Sequence, residues 1–114
     1  MTWTAWNNGA HHRTGAGYGF KVESTDRDLY FLPQWETVLI ELPRGSEVVS
    51  IEVNIDKGSF WGPSCRELIS QAIGRWLIMQ GYAPWVKGSP PKFNVQLAGE
   101  GRFVVLGVAS PRSE

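Results

Sequence analysis

Residues 49–56 alternate without a break. Val49, Ile51, Val53 and Ile55 fall on one side of an extended chain, and Ser50, Glu52, Asn54 and Asp56 fall on the other. A period of two with one apolar row marks a half-buried β-strand, and it commits the chain to a sheet with an inside and an outside. Val38, Ile40 and Leu42 repeat the pattern just upstream, with Pro43-Arg44-Gly45-Ser46 between the two rows. Treating those residues as the loop pairs Leu42 with Glu47, Ile40 with Val49 and Val38 with Ile51. That register keeps the apolar rows on one face.

Other segments extend the sheet. Tyr18, Phe20 and Val22 alternate with Gly19, Lys21 and Glu23, which predicts a first strand. Leu29 to Leu32 predicts a short second strand that Pro33 stops. Phe93, Val95 and Leu97 alternate with Lys92, Asn94 and Gln96, and Gly99-Glu100-Gly101 turns the chain back. The return strand over 103–109 is apolar on both faces, with Phe103, Val105, Gly107 and Ala109 in one row and Val104, Leu106 and Val108 in the other. Both rows call for cover. A helix supplies one cover. The N-terminal segment, a strongly curled sheet or a second copy of the chain supplies the other, and a homodimer is expected on this ground.

The helix is predicted over about 64–80. Ser64-Cys65-Arg66-Glu67 has the spacing of a capping box. Leu68, Ile69, Ala72, Ile73, Trp76 and Leu77 recur as one apolar stripe, and Gly81 supplies a left-handed stop. Pro84 and Pro90-Pro91 keep 82–91 from being helical. The expected architecture is α+β: a mainly antiparallel sheet of five to six strands with one amphipathic helix packed on one face, in the order β-β-β-β-α-β-β. One domain spanning 1–114 accommodates it, because 114 residues bury a core without disulfide staples.

Composition narrows the function classes. Hydrophobic residues make up 42% and charged residues 19%, which argues against disorder. No apolar run approaches the ~20 residues of a membrane helix. Met1 to Trp6 lacks the basic-then-apolar pattern of a secretory leader, and Cys65 has no second cysteine to pair with. A cytoplasmic location is therefore expected. The formal net charge is zero, which does not favour nucleic acid as a non-specific partner. The charge is segregated, however. Glu36, Glu41, Glu47, Glu52 and Asp56 outweigh Arg44 over 36–56, whereas Lys57, Arg66, Arg75, Lys87, Lys92 and Arg102 outweigh Glu67 and Glu100 over 57–102.

Groups capable of chemistry concentrate between Trp6 and Asp28. Both histidines lie there, as do Asn7-Asn8-Gly9, Gly15-Ala16-Gly17-Tyr18-Gly19 and Asp26-Arg27-Asp28. The glycine spacing is not that of a dinucleotide fingerprint, and a strand follows it rather than a helix. Adjacent His11 and His12 point to opposite sides of an extended chain, and no His-x-x-x-His pair exists, so neither a metal nor a cofactor is expected. Cys65 at a helix start has the address of a reactive thiolate, though no histidine is placed beside it.

Two function classes fit. The first is a small soluble binding or adaptor domain that engages a small polar or anionic ligand, or a protein partner, through the 7–19 loop and the 26–28 turn. Asn8, Arg13, Tyr18 and Arg27 are its candidate ligand-binding residues, joined by Trp85 and Lys87 as a stacking and cationic pair. Trp61 and Trp85 read equally as lids that seal the ends of the helix–sheet core. The second class is a small phosphodiesterase or ribonuclease-like hydrolase. In it His11 or His12 serves as acid or base, Asp26 or Asp28 orients the imidazole, and an arginine stabilises the anionic transition state. A third possibility is a homo-oligomer whose role is interaction through a sheet face.

Overall fold

The computed structural model describes residues 1–109. It is a small α+β domain built on one seven-stranded mixed sheet with three short helices. The strands are β1 (Thr2–Asn7), β2 (Tyr18–Val22), β3 (Thr37–Arg44), β4 (Glu47–Asn54), β5 (Glu67–Ile69), β6 (Lys92–Gly99) and β7 (Arg102–Val108). The helices are α1 (Ser24–Tyr30), α2 (Gly58–Trp61) and α3 (Gln71–Met79). Strand order across the sheet is β4-β3-β7-β6-β1-β2-β5. Every pairing is antiparallel except β3 with β7, which is parallel. The sheet curls until its edge strands β4 and β5 approach each other, giving a nearly closed barrel.

The curl explains the core. Inward residues from every strand meet in one cluster, with Trp3, Phe20, Phe31, Phe93 and Phe103 fully buried or nearly so. Trp3 packs against Phe20 and Phe103 at 5.6 and 5.4 Å, and Phe31 stacks on Phe103 at 4.6 Å. Tilted and offset rings at these separations gain more than their burial alone. β1 carries Trp3 and Ala5 inward between β6 and β2, a strand that the sequence reading did not recognise.

Several expectations need correction. The β3–β4 hairpin turns over Gly45-Ser46 alone, so Leu42 faces Val49, Ile40 faces Ile51 and Val38 faces Val53. Gly45 takes φ +61°, the positive value that two-residue hairpin turns demand. The register differs from the expected one by two residues, which preserves the facing of both apolar rows and so leaves alternation unable to tell them apart.

Leu29 to Leu32 is not a strand. Ser24–Tyr30 forms α1, a helix of poor intrinsic helix formers. It is held by tertiary contacts of Arg27, which is 8% exposed, and by Phe31 just beyond its end. The single helix over 64–80 is also overturned. Its first part is β5, where Glu67 faces Lys21, Leu68 faces Phe20 and Ile69 faces Gly19. The Glu67 carboxylate pairs with Lys21 Nζ at 3.2 Å rather than closing a capping box on Ser64. Arg66 Nε donates to Val22 O at 2.8 Å, fastening the segment to the sheet. The helix starts later, with Ser70 as its N-cap accepting from Ala72 N at 3.2 Å. Cys65 is therefore exposed ahead of a strand, not at a helix start.

The two-faced strand is β7. Phe103 and Val105 are buried, while Val104 is half-buried and Leu106 and Val108 are 56% and 41% exposed. Closure of the barrel covers one row. The other row remains at the surface of the chain.

Candidate functional site

The 7–19 loop leaves β1 and returns as β2, and its own side chains fold it. Asn7 Oδ1 accepts from Gly9 N at 2.7 Å and from His11 N at 3.0 Å. Asn8 Oδ1 accepts from Ala10 N at 3.0 Å, and Asn8 N donates to Gly17 O. These are the local bonds by which asparagine organises turns. Further along, Gln71 Nε2 donates to Thr14 O, tying the loop to α3. The approach is close: a Cβ on Gly15 would lie 2.6 Å from Gln71 O and 2.7 Å from Arg75 N, so only glycine permits it.

This scaffold sets His11 in a left-handed conformation, φ 50°, uncommon for a residue with a side chain. Its Nδ1 lies 2.9 Å from the hydroxyl of Tyr18. Tyr18 is buried, and burial raises its phenol above the ordinary range, so the hydroxyl keeps its proton. When that proton is donated to Nδ1, the remaining ring nitrogen, Nε2, carries hydrogen and is a donor. Trp85 comes from the connection after α3, which passes through a cis Ala83–Pro84 bond. Its ring stands steeply inclined to those of His11 and Tyr18, with centroids 5.1 and 5.7 Å away and interplanar angles of 81° and 72°. His11, Tyr18 and Trp85 thus form one closed aromatic triad.

Beside the triad lies an open depression of about 610 Å³, within the size range of small-molecule sites. Half-buried Trp6 and Trp85 line it, with Asn7, His11 and Lys87 as its polar side chains and no carboxylate. Asn7 is distinctive. Two backbone N–H groups occupy Oδ1, which fixes the amide orientation, and Nδ2 is buried without a partner. Trp6 and Asn7 lie in the stretch that the sequence singles out, but they are not among the ligand-binding residues expected from it. The signal available was a tryptophan placed directly before a turn-forming Asn-Asn-Gly.

The other sequence candidates lie apart from this cluster or serve the loop. Asn8 supports the loop, as described. His12 and Arg13 are exposed on it. Arg27 sits in a different region: Nε donates to Asp28 at 3.0 Å, and Nη1 donates to Phe60 O at 3.0 Å and Gly62 O at 2.7 Å. Its guanidinium also lies 5.7 Å from the Trp61 ring centre. Asp26 is half-buried and Asp28 exposed. Among the described residues, no hydrogen bond or ion pair joins either histidine to Asp26 or Asp28. Among the same residues, no three of His, Cys, Asp or Glu converge on a position for one metal ion. Among the described residues, no helix is long and apolar enough to cross a membrane.

A second region gathers charge. Lys21 Nζ bridges the Glu67 carboxylate and Ser64 O, both at 3.2 Å. Burial lowers Lys57 below the ordinary lysine range, an effect that nearby Glu67 and Cys65 oppose. Comparison with protein families, with curated proteins and with solved structures finds no match to this chain.

Proposed function

We propose that this chain is a small binding domain whose ligand, a small polar or anionic molecule, sits in the depression beside the His11–Tyr18–Trp85 triad. The observation that carries the proposal is the character of the lining: two indole walls, the cation Lys87 and other polar donors, with no acid to repel an anion. The reading narrows the expected surface to the loop side, because Arg27 spends its donors on Asp28 and two carbonyl groups. It also ranks above the hydrolase. His11 is engaged by Tyr18, and the aspartates that would orient an acid–base histidine are not bonded to it.

The test is a fragment panel of polar and anionic small molecules, followed through the backbone and indole N–H signals in two-dimensional NMR. Shifts confined to Trp6, Trp85 and the 7–19 loop are expected. A panel that moves no signal at millimolar concentration, or moves only signals elsewhere, overturns the proposal.

One observation favours a second role beside the first. Leu97 and Leu106 are 42% and 56% exposed, and with Met1, Tyr30 and Val95 they border a shallow hollow lined by no charged side chain. The one charge at its border is the Met1 ammonium, which donates to Val95 O at 2.9 Å, and we propose a two-fold dimer through this face. Sedimentation at micromolar concentration tests it. Concentration-dependent dimerisation abolished by Leu106→Glu is expected, and a monomer at all concentrations removes it. The single cysteine adds a location to the proposal: an exposed, unpaired thiol fits the reducing cytoplasm.

A further inference from the structure

We infer that the ligand of the depression is a nucleoside phosphate, its base stacked on Trp85 and Trp6 and its phosphate beside Lys87. The inference rests on the binding role proposed above and adds the chemical class. Three features support it, the first being the lining itself. Indole faces hold flat rings, and stacking on them tolerates any base. The polar lining is donor-rich: Lys87 is donor only, and His11 offers Nε2–H when Tyr18 donates to Nδ1. Such a lining matches a ligand rich in acceptors, namely ring nitrogens, carbonyl oxygens and phosphate oxygens. A neutral sugar brings no charge to meet Lys87.

The second feature is charge placement. Lys87 lies two residues after Trp85, so one short segment presents ring and cation together. Among the described residues Lys87 makes no ion pair, which leaves its ammonium available to an incoming anion. The third is rigidity. The aromatic triad and the asparagine bonds fix His11 and Trp85 before a ligand arrives, so little ordering cost opposes binding.

Isothermal titration of the whole chain decides the matter, with adenosine, ribose 5-phosphate, AMP, UMP and a short single-stranded oligodeoxyadenylate as probes. AMP and UMP are expected to bind alike, and each about tenfold or more tighter than adenosine or ribose 5-phosphate. Lys87→Ala should reduce AMP to the affinity of adenosine, while Trp85→Leu should weaken both and Trp85→Tyr should retain most of the binding. Circular dichroism of each variant separates lost binding from lost fold, and Trp85→Tyr carries the stacking test if the leucine variant unfolds. An oligonucleotide that binds more tightly than AMP identifies a strand as the source of the nucleotide, and equal affinity identifies the free molecule. Adenosine equal to AMP, or AMP indifferent to Lys87, overturns the inference. If nucleotides fail while other fragments shift Trp6 and Trp85, the ligand class is wrong and the binding role stands. If every fragment fails, both fall.

Discussion

Arg27 and Lys87 are both cations next to a tryptophan, and they are in opposite states. Arg27 is 8% exposed, with Nε on Asp28, Nη1 on two carbonyl groups and its plane near Trp61. Lys87 is exposed on the rim of a depression beside Trp85, with no hydrogen bond or ion pair among the described residues. The difference teaches how to separate structural from functional polar groups. A buried polar group whose partners all lie within the fold is holding the fold together. A donor left open at a concave surface is free to meet something else. In sequence the two look alike, and Arg27 was the more attractive of the pair.

Trp76 gives the largest test of the satisfied class. It is 6% exposed, and its Nε1 donates to Pro43 O at 2.7 Å, locking α3 to the end of β3. Pro43 itself lies beyond the β3–β7 ladder, which ends at Glu41, so β7 does not compete for that carbonyl. Trp76→Ala should cost about 3–5 kcal/mol, from the cavity and the orphaned acceptor. Urea denaturation measures it, and a loss under about 1 kcal/mol would mean that the indole is dispensable.

Arg27→Met comes next. The methionine keeps much of the stem but strands Phe60 O and Gly62 O, each at about 1–3 kcal/mol when buried without a partner. A total of about 2–4 kcal/mol is expected, since the exposed Asp28 readily returns to water. A variant as stable as the parent would place Arg27 with Lys87 and return it to the list of ligand-binding candidates.

What the sequence made legible follows the same division. Strands were readable where one face is buried and the other wet, as in β3, β4 and β6, because alternation records that asymmetry directly. β1 escaped because Thr2, Thr4 and Trp6 on its second face do not contrast with Trp3 and Ala5 as charged residues would. The helix was misplaced because Leu68 and Ile69 fit a helical stripe and a short strand equally well. Pairing of Lys21 with Glu67 and of Arg66 with Val22 O decided for the strand, and both contacts lie more than forty residues apart in sequence. The parallel β3–β7 pairing is likewise a long-range fact. For the site, the loop and Trp85 were legible as residue types, but their convergence through Tyr18 was not.

The two serines at the disputed helix start repeat the comparison on a smaller scale. Ser70 Oγ accepts from Ala72 N, whereas Ser64 lends only its carbonyl, to Lys21. Ser70→Ala should cost about 1 kcal/mol and Ser70→Asp should cost little, because aspartate accepts the same bond. Ser64→Ala should leave the denaturation midpoint in place. The reverse ranking would restore the capping box over 64–67.

Alkaline pH probes the burial of Tyr18. Burial raises the Tyr18 phenol, so above pH 10 the unfolded chain gives up a proton that the folded chain retains. Stability should therefore fall as pH rises from the unfolded value through the raised folded one. Lys57, lowered by burial, acts in the opposite sense: the unfolded chain holds the extra proton, and stability rises with pH until lysine titrates in the unfolded chain near 10.5. Tyr18→Phe should flatten the decline above pH 10 and leave the Lys57 contribution intact. A decline of unchanged steepness in Tyr18→Phe would assign it to other groups.

The smallest expected effect is on Lys87, and it bears hardest on the comparison. Lys87→Ala removes an exposed ammonium that makes no bond within the described residues, so the urea midpoint should not move. Its loss should appear only when a ligand is present, as a smaller thermal upshift at a given ligand concentration, because ligand stabilises by binding the folded state alone. Raising salt should shrink the parent's upshift toward that of the variant, since the contact removed is between charges at a solvated rim. Arg27 is predicted to behave in the opposite way on both counts, with a large loss of stability in buffer and no part in any ligand-dependent shift. If Lys87→Ala instead destabilises the free protein, its ammonium is spent within the fold after all. An open donor at a concave surface would then no longer separate the two cations.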